Sequence, residues 1–403
     1  MLNEQAANAA NTASRIHLGH LDGIRGLAAL WVALEHVVTE VLSRADVAAL
    51  PAVVTSVAKA FSLGHTPVDI FIVLSGYCLM IPVARSGRIS GGLSGFIARR
   101  ARRILPPYYA SLGLFALLVL LVPALREGIG THYDVHIPFI KLDVLVSHVL
   151  LLHNMNPSWI YQGNGVWWSV ATEWQIYFLF PLLLIALRKG GWIACLFVAL
   201  VLGALPRHIS LGLGEACFHF LALFAMGMIA SSISFSPSSS VRLRQLPWGV
   251  LASVLVAGFV AVKFNLVHVP RINEVILGDM LVGGATSAML IFLVESVTKG
   301  AKPVALRLTS SQFAVWLGLM SYSLYLCHYP IEILTHAALL HHNIPIGAAF
   351  VVMLIVGVPL AIGLSYLFHV AFERPFLRPR PIPIAASVPT SSDEPRPVGV
   401  SAE

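Results

Sequence analysis

The sequence is poor in charge. Only 11% of its 403 residues are Asp, Glu, Lys or Arg, against 57% hydrophobic, and its mean hydropathy is +0.80. A soluble domain carries about a quarter of its residues as charges to cover its surface, so a water-soluble fold is excluded. Cysteine is scarce as well. Cys78, Cys195, Cys217 and Cys327 are widely spaced with no C-x-x-C pair, which excludes a disulfide scaffold and a zinc ribbon and leaves four small apolar residues. There is no G-x-S-x-G, so Ser75 of "LSGY" reads as a packing residue and not as a nucleophile elbow. An internal repeat and a cleavable leader are also missing.

What the chain has is apolar runs. About ten are long enough to be read as membrane spans, because a helix rises 1.5 Å per residue and the hydrocarbon is about 30 Å thick. They cover 22–42, 66–83, 104–123, 166–187, 191–206, 215–231, 248–264, 275–295, 313–336 and 346–372. The expected fold is therefore all-α: a polytopic integral membrane protein of about ten transmembrane helices. A polar leader (1–20), one membrane domain (21–377) and a Pro- and Ser-rich tail (378–403) make up the chain, with "SSISFSPSSS" (231–240) as a flexible connector. The segment "VLVSHVLLLH" (144–153) is too short to span and is expected to dip into or lie on the membrane surface.

The loops set an orientation. With the N-terminus in the cytoplasm, eighteen of the 26 Lys and Arg fall on the cytoplasmic side and six on the other, and two lie within spans. This is a positive-inside bias, and an even number of spans returns the C-terminus to the cytoplasm. The net charge of +7 records topology and does not mark a nucleic-acid-binding surface.

Charge inside the first run is the exception. "LDGIRGLAALWVALEHVV" (21–38) holds Asp22, Arg25, Glu35 and His36, and each costs about 2.5–3.5 kcal/mol in a span. On a helix His36 lies about 20° from Arg25 and Asp22 about 60°, so the three share one face, with Glu35 about 80° to the other side. Arg25 and His36 are roughly 16 Å apart along the axis, and Ala29 and Val32 between them leave room for something narrow. A ligand with phosphates at one end and a reactive group on a slender arm matches that face, and coenzyme A has this shape. Counting rises from the span ends puts His36, Glu173 and His328 in one layer, roughly 20–22 Å from the cytoplasmic side. At the cytoplasmic side, "FIARRARRILPPYY" (96–109) gathers Arg99, Arg100, Arg102 and Arg103. Guanidinium groups bind phosphate bidentately, although the same cluster also serves as a positive-inside anchor.

With these residues, the chain resembles the acyltransferase family 3 membrane proteins, bacterial O-acyltransferases, over about residues 16–377. The resemblance rests on five segments in order: "LDGIRGLAALWVALEH", "PVDIFIVLSGY" (67–77), "RRARRIL" with its Arg-x-x-Arg at Arg100 and Arg103, "VWWSVATEWQIYFLFPLLL" (166–184) with Trp-Ser-x-x-x-Glu, and "SYSLYLCHYP" (321–330). It implies an acyl-CoA donor, usually acetyl-CoA, held from the cytoplasm, and an acceptor hydroxyl on a glycan, a lipid-linked sugar or a small secondary metabolite. Many relatives carry a fused extracytoplasmic hydrolase-like domain, and this chain reads as a stand-alone member.

The roles expected are these. His36 is the general base for the acceptor hydroxyl or carries the acyl group itself, and Glu173, Glu35 or Asp22 orients it, with Glu173 favoured on depth. Arg25, Arg99, Arg100 and Arg103 hold the donor phosphates. Trp167, Trp168, Ser169, Tyr177, Asp69 and His328 form the substrate-facing set, with the tryptophans as interfacial belt and sugar platform and helix capping as the alternative for Asp69. Lys263, Asp279 and Glu295 are read as span-end residues that snorkel. "HYDVH" (132–136) and His341/His342 have metal-like spacing without Cys or carboxylate partners, so no metal is expected. A proton-coupled transporter also uses intramembrane Asp, Glu, His and Arg, but that reading leaves the arginine cluster without a role.

Overall fold

In hydrocarbon each backbone N–H and C=O must find its partner within its own segment, so long apolar runs fold as helices. The computed structural model describes residues 18–42, 50–63, 65–136, 141–208, 219–267 and 273–377, and they contain helices and no strand. The expectations for the leader before residue 18, for Cys217 and for the tail 378–403 lie outside the described residues.

In chain order the main helices are α1 (Gly19–Leu42), α2 (Ala52–Phe61), α3 (Thr66–Ser86), α4 (Gly92–Leu121), α5 (Leu142–Val149), α6 (Trp167–His208), α7 (Phe220–Phe235), α8 (Trp248–Lys263), α9 (Glu274–Thr298), α10 (Gln312–Leu319), α11 (Ser321–His341) and α12 (Ile346–Phe376). Five segments are long and apolar enough to cross a membrane: Ala52–Ser86, Gly92–Leu121, Trp167–Ala204, Glu274–Thr298 and Ile346–Phe376. The chain is thus a helical membrane protein, with five such helices among the described residues where about ten spans were expected. Two runs read as separate spans are the two arms of α6, which bends where Gly191 (φ 69°, ψ −166°) leaves the helical region. The run expected at 313–336 breaks at Met320 into α10 and α11. The helices α7 and α8 have 16 residues each, and α1, at 24 residues, carries Asp22, Arg25, Glu35 and Glu40.

α1 lies among α3, α10 and α11, and α3 pairs along its length with α7. Both contacts need glycine. A Cβ on Gly318 of α10 would stand 2.0 Å from the Asp22 carbonyl oxygen, and one on Gly26 would stand 2.3 Å from that of Ala314. In the α3–α7 pair, a Cβ on Gly227 would fall 2.0 Å from the Val73 oxygen and one on Gly76 2.1 Å from the Phe224 oxygen. Small residues that let backbones touch replace the hydrophobic driving force that lipid cannot supply.

One local expectation changes. Ser231–Phe235 continue α7 and Ser231 is fully buried, so the first five residues of the expected connector are helix. The segment at 142–155 is held down firmly on one face. Tyr108 and Tyr109 of α4 donate to the carbonyls of His148 (2.9 Å) and Val149 (2.8 Å), and Gln175 of α6 donates to the Leu151 oxygen (2.9 Å). Its other face exposes Leu142, Val146 and Val149. Under it the rings of His148 and His153 stack at 4.0 Å. Burial pushes His148 down to about 4, and burial together with the neighbouring His148 charge holds His153 well below the usual histidine range.

Gly227→Val should force the α3 and α7 backbones apart and cost about 1–3 kcal/mol or more. A lowered melting temperature in detergent, followed by tryptophan fluorescence, checks this. The histidine pair sets a pH dependence. A base whose folded pKa lies below its unfolded value of about 6.5 stabilises the fold fully above that pH and loses the contribution as pH falls toward the folded value. Melting temperature should therefore drop between about pH 6.5 and 4, and a His148→Gln/His153→Gln protein should lose that part of the slope.

Candidate active site

Helical spacing gathers the polar side chains into three adjoining cavities. The first is a basin of about 730 Å³ between the start of α1, the first turns of α4, α10 and the end of α12. Arg25, Arg99, Arg100, Arg102, Arg103 and Arg374 line it, opposed by Asp22 and Glu373. Arg99, Arg100 and Arg103 share a face because three and four residues make about one turn. Arg99 Nη2 donates to the Ser90 carbonyl at 2.6 Å, which anchors the guanidinium at the rim. Glu373 Oε2 already accepts from Ser323 Oγ (2.5 Å) and His369 Nδ1 (2.8 Å), so this carboxylate is held by neutral or histidine donors. The basin is left strongly cationic, suited to a ligand with several phosphates.

Arg25, Arg100 and Arg103 also line the second cavity, of about 100 Å³. Its walls are Phe71 and Ser75 of α3, Ser169, Glu173 and Tyr177 of α6, and Tyr322 and Tyr325 of α11. The three α6 residues recur every fourth position and so lie on one face. Tyr177 OH donates to Glu173 Oε1 (2.5 Å) and lies 3.0 Å from Ser75 Oγ, while Arg25 is within electrostatic reach of Asp22 and Glu173. Ser75 and Cys78, expected as packing residues, line this cavity. Val68 and Tyr325 form the wall shared with the third cavity. Tyr325 OH is held there, 2.5 Å from Ser169 Oγ and 3.1 Å from the Val166 oxygen.

The third cavity, of about 240 Å³, contains His36 with Val32, Glu35, His65, His132, Trp168 and Tyr329 on its walls. His36 Nδ1 lies 2.9 Å from the Val32 carbonyl. A carbonyl only accepts, so Nδ1 carries the proton and Nε2 keeps a lone pair. Glu35 Oε2 is 3.4 Å from the same Nδ1, where it would offset charge on a protonated ring. The rings of His328 and Tyr329 pack edge-on at 5.0 and 5.1 Å and fix the imidazole plane.

Several expected positions shift. Glu173 lines the arginine-bearing middle cavity, and the carboxylate at His36 is Glu35. Residue counts from opposite ends of two antiparallel spans give a common height only when each span begins at its own membrane face. Ala29 does not open the groove; it packs fully buried against Leu317, Met320 and Leu324. Trp167 is core and not a platform: it is fully buried among Tyr108, Phe115 and His148 and donates to Ser111 Oγ at 3.3 Å. Its neighbour Trp168, about 100° round the helix, is the one on the chamber wall. His328 sits behind His36, with Nδ1 2.9 Å from the Leu324 oxygen. Asp69 lines none of the three cavities, and Asp279 does not snorkel. Both are buried, and Asp279 is gripped by His65 and His219 at 2.8 Å each. Sequence reasoning missed Arg374, which had no local signal, and Tyr322, Tyr325 and Tyr329, which stood inside a segment chosen for its histidine.

Apart from Glu373, Arg374 and the two residues after Pro375 at the rim of the basin, the residues that build these cavities fall within a region matched from 18 to 370 by the acyltransferase domain model of acyltransferase family 3. The chain belongs to that family. It is similar to the Bacillus subtilis protein named "Putative peptidoglycan O-acetyltransferase YrhL", 27% identical over 307 residues that make up 68% of this chain and 45% of the relative. It is similar to a Staphylococcus aureus (strain COL) protein named "Putative O-acetyltransferase", 23% identical over 395 residues, 88% of this chain and 56% of the relative. The peptidoglycan O-acetyltransferase OatA of Listeria monocytogenes is 23% identical over 357 residues, 80% of this chain and 50% of the relative. The chain spans about half the length of these relatives. No solved structure matches.

The adjacent tryptophans offer a direct contrast. Trp167→Ala should cost about 3–5 kcal/mol through the cavity it leaves in the core. Trp168→Ala should leave the melting temperature nearly unchanged and weaken whatever binds beside His36. Thermal melts of the two purified variants separate these outcomes.

Proposed function

We propose that this chain is a membrane O-acyltransferase that moves an acyl group, acetyl first, from cytoplasmic acyl-CoA to a hydroxyl of an extracytoplasmic or lipid-linked glycan. The row of three cavities carries this reading. An arginine basin shares Arg25, Arg100 and Arg103 with a narrow middle chamber, and that chamber shares Val68 and Tyr325 with the His36 chamber. Coenzyme A has the same three parts in the same order: a phosphorylated nucleotide, a slender arm and a thioester. On the positive-inside reading of the sequence, the basin is cytoplasmic and the His36 chamber lies toward the other face. The glycan acceptor draws support from relatives named as peptidoglycan O-acetyltransferases and from Trp168, an aromatic face of the kind on which sugar rings stack.

The chemistry follows from the tautomer. With its Nδ1–H given to the Val32 carbonyl, His36 presents the basic Nε2 to the chamber. Nε2 takes the proton of the acceptor hydroxyl as its oxygen attacks the thioester carbonyl. The Glu35 carboxylate near Nδ1 steadies the imidazolium so formed. The tetrahedral intermediate collapses by breaking the carbon–sulfur bond, and the departing thiolate takes the proton from Nε2. The ester stays on the acceptor, coenzyme A leaves as the thiol, and His36 returns to its starting state. Glu173, next to Arg25, acts at the donor arm and not on the imidazole.

His36→Ala should lower acyl transfer about 10²–10⁴-fold with an unchanged melting temperature. Arg100→Ala and Arg103→Ala should each raise KM for acetyl-CoA roughly 10–100-fold and change kcat less. Release of coenzyme A by purified protein with glycan acceptor fragments measures both. A His36→Ala protein with full activity would falsify the assignment.

A further inference from the structure

Away from the arginine basin, four side chains from distant parts of the chain meet in the interior. His65 directly precedes α3, Asp69 lies one turn into it, His219 directly precedes α7, and Asp279 lies in the second turn of α9. His65 Nε2 is 2.8 Å from Asp279 Oδ1, and His219 Nε2 is 2.8 Å from Asp279 Oδ2. One ligand-capable atom each from His65, Asp69 and Asp279 lies within 4.8 Å of the others. Asp69 is 0% exposed, its carboxyl lies at hydrogen-bonding distance of the Asp279 carboxyl, and among the described residues no donor reaches either of its oxygens.

A buried carboxylate with no donor, facing a second carboxylate, is strongly unfavourable unless a positive charge lies between them. A proton on Asp69 would relieve it, and so would a metal cation. The two imidazoles favour the cation. Each turns Nε2 toward Asp279, and nitrogen with carboxylate oxygen is the donor set of zinc and its neighbours. Three protein ligands with an open fourth position is a common zinc arrangement. His219 supplies what a metal-bound carboxylate needs from outside the ligand set, an N–H on its second oxygen. Ligand atoms about 2.0–2.1 Å from a tetrahedral ion stand about 3.3 Å apart, so the ligand edge from His65 to Asp279 has to open only by a few tenths of an ångström.

We propose that His65, Asp69 and Asp279 bind one divalent metal ion of the zinc class, with His219 orienting Asp279. The ion clamps α3 to α9 on the side where α7 begins. It does so independently of the acyl-transfer reading, but at its border, because His65 also lines the His36 chamber.

The test uses the full chain purified in detergent with a tag that contains no histidine, stripped with EDTA, reloaded with Zn²⁺ and desalted. Elemental mass spectrometry should find about one zinc per chain, with a higher melting temperature after reloading. Asp69→Asn and His65→Ala should each weaken zinc retention at least roughly tenfold. Replacement of His341 and His342, both exposed at the end of α11, should change nothing. Asn copies the shape of a protonated Asp. If the wild-type chain holds no zinc and Asp69→Asn melts like it, the carboxylates share a proton and the proposal is overturned. It is overturned equally if zinc binds but both variants retain it. His65, with 34% of its side chain exposed, is replaceable with little risk to folding, which keeps the test decisive if Asp69→Asn does not fold.

Discussion

The contact of bare backbone between α1 and α10 governs this structure. Gly26 and Gly318 remove the side chains that would hold the two helices apart, and the Asp22 carbonyl lies where a Cβ on Gly318 would be. That closeness locks the rotation of α1. One side of the helix, with Ala29, is committed to Leu317, Met320 and Leu324. The side chains beside that seam have no choice but to point into the space bounded by α3, α4, α6 and α11. Arg25 and His36 belong to this second group. Their separation is then set by helix rise alone, roughly 16 Å for eleven residues, and a helix does not stretch. A rigid spacing between a cation and an imidazole is what a ligand of fixed length requires, and it depends on glycine at places with no chemistry of their own.

Polar groups in an apolar bundle survive by being paired or by lining a wet cavity, and the chain uses both solutions. Glu173, Tyr177 and Ser75 form a bonded series in the middle cavity, and Tyr325 is latched by Ser169 and Val166. Arginine is concentrated at the basin, where the chamber is widest. Its charge cannot be lost to a proton, because a guanidinium stays ionised in any protein environment. Histidine stands at the far end, where a proton must come and go. This division by residue chemistry has a physical origin, since a permanent charge is tolerated best where water is nearest.

Much of the site was legible because helical periodicity is simple arithmetic. Arg25 and His36, about 20° apart on one helix, do face adjoining cavities, whereas Ser169, Tyr177, Arg100 and Arg103 were legible as positions in segments shared with the family. What was not legible depended on the third dimension. Trp167 and Trp168 look equivalent as neighbours in sequence, yet one is core and the other lines a chamber, and only the packing of α4 against α6 separates them. Counting residues from span ends could not give heights for Glu173 and His36 in a common frame, because hydropathy does not fix where each helix meets the membrane face, and the break at Met320 falls inside one apolar run. Asp279 read as a span-end charge because its partners, at 65 and 219, are 214 and 60 residues away. Arg374 came from the far end of the chain through the π-helical turns at the close of α12. The fold class was readable from composition, since hydropathy is a sum over residues. The number of spans was not, because it depends on where the chain bends.

The wall between the middle and His36 chambers bears on how a thioester could be kept from water. Tyr325 presents its ring edge to Phe71 at 5.9 Å, and its hydroxyl is tied to α6 at two points. A tyrosine so held has little rotamer freedom left to lose, so excluding water with it carries a small entropic cost. Its hydroxyl is also satisfied, so it offers no free donor to draw water through. On the acyl-transfer reading, an arm threaded past Val68 and Tyr325 would fill the one narrow stretch between two wider polar cavities and seal it. The donor would then close its own path, and the reacting carbon would meet only what enters beside Trp168. No moving lid is needed for this. The geometry asks only that the narrow stretch stay narrow, which the bonds to Ser169 and Val166 ensure.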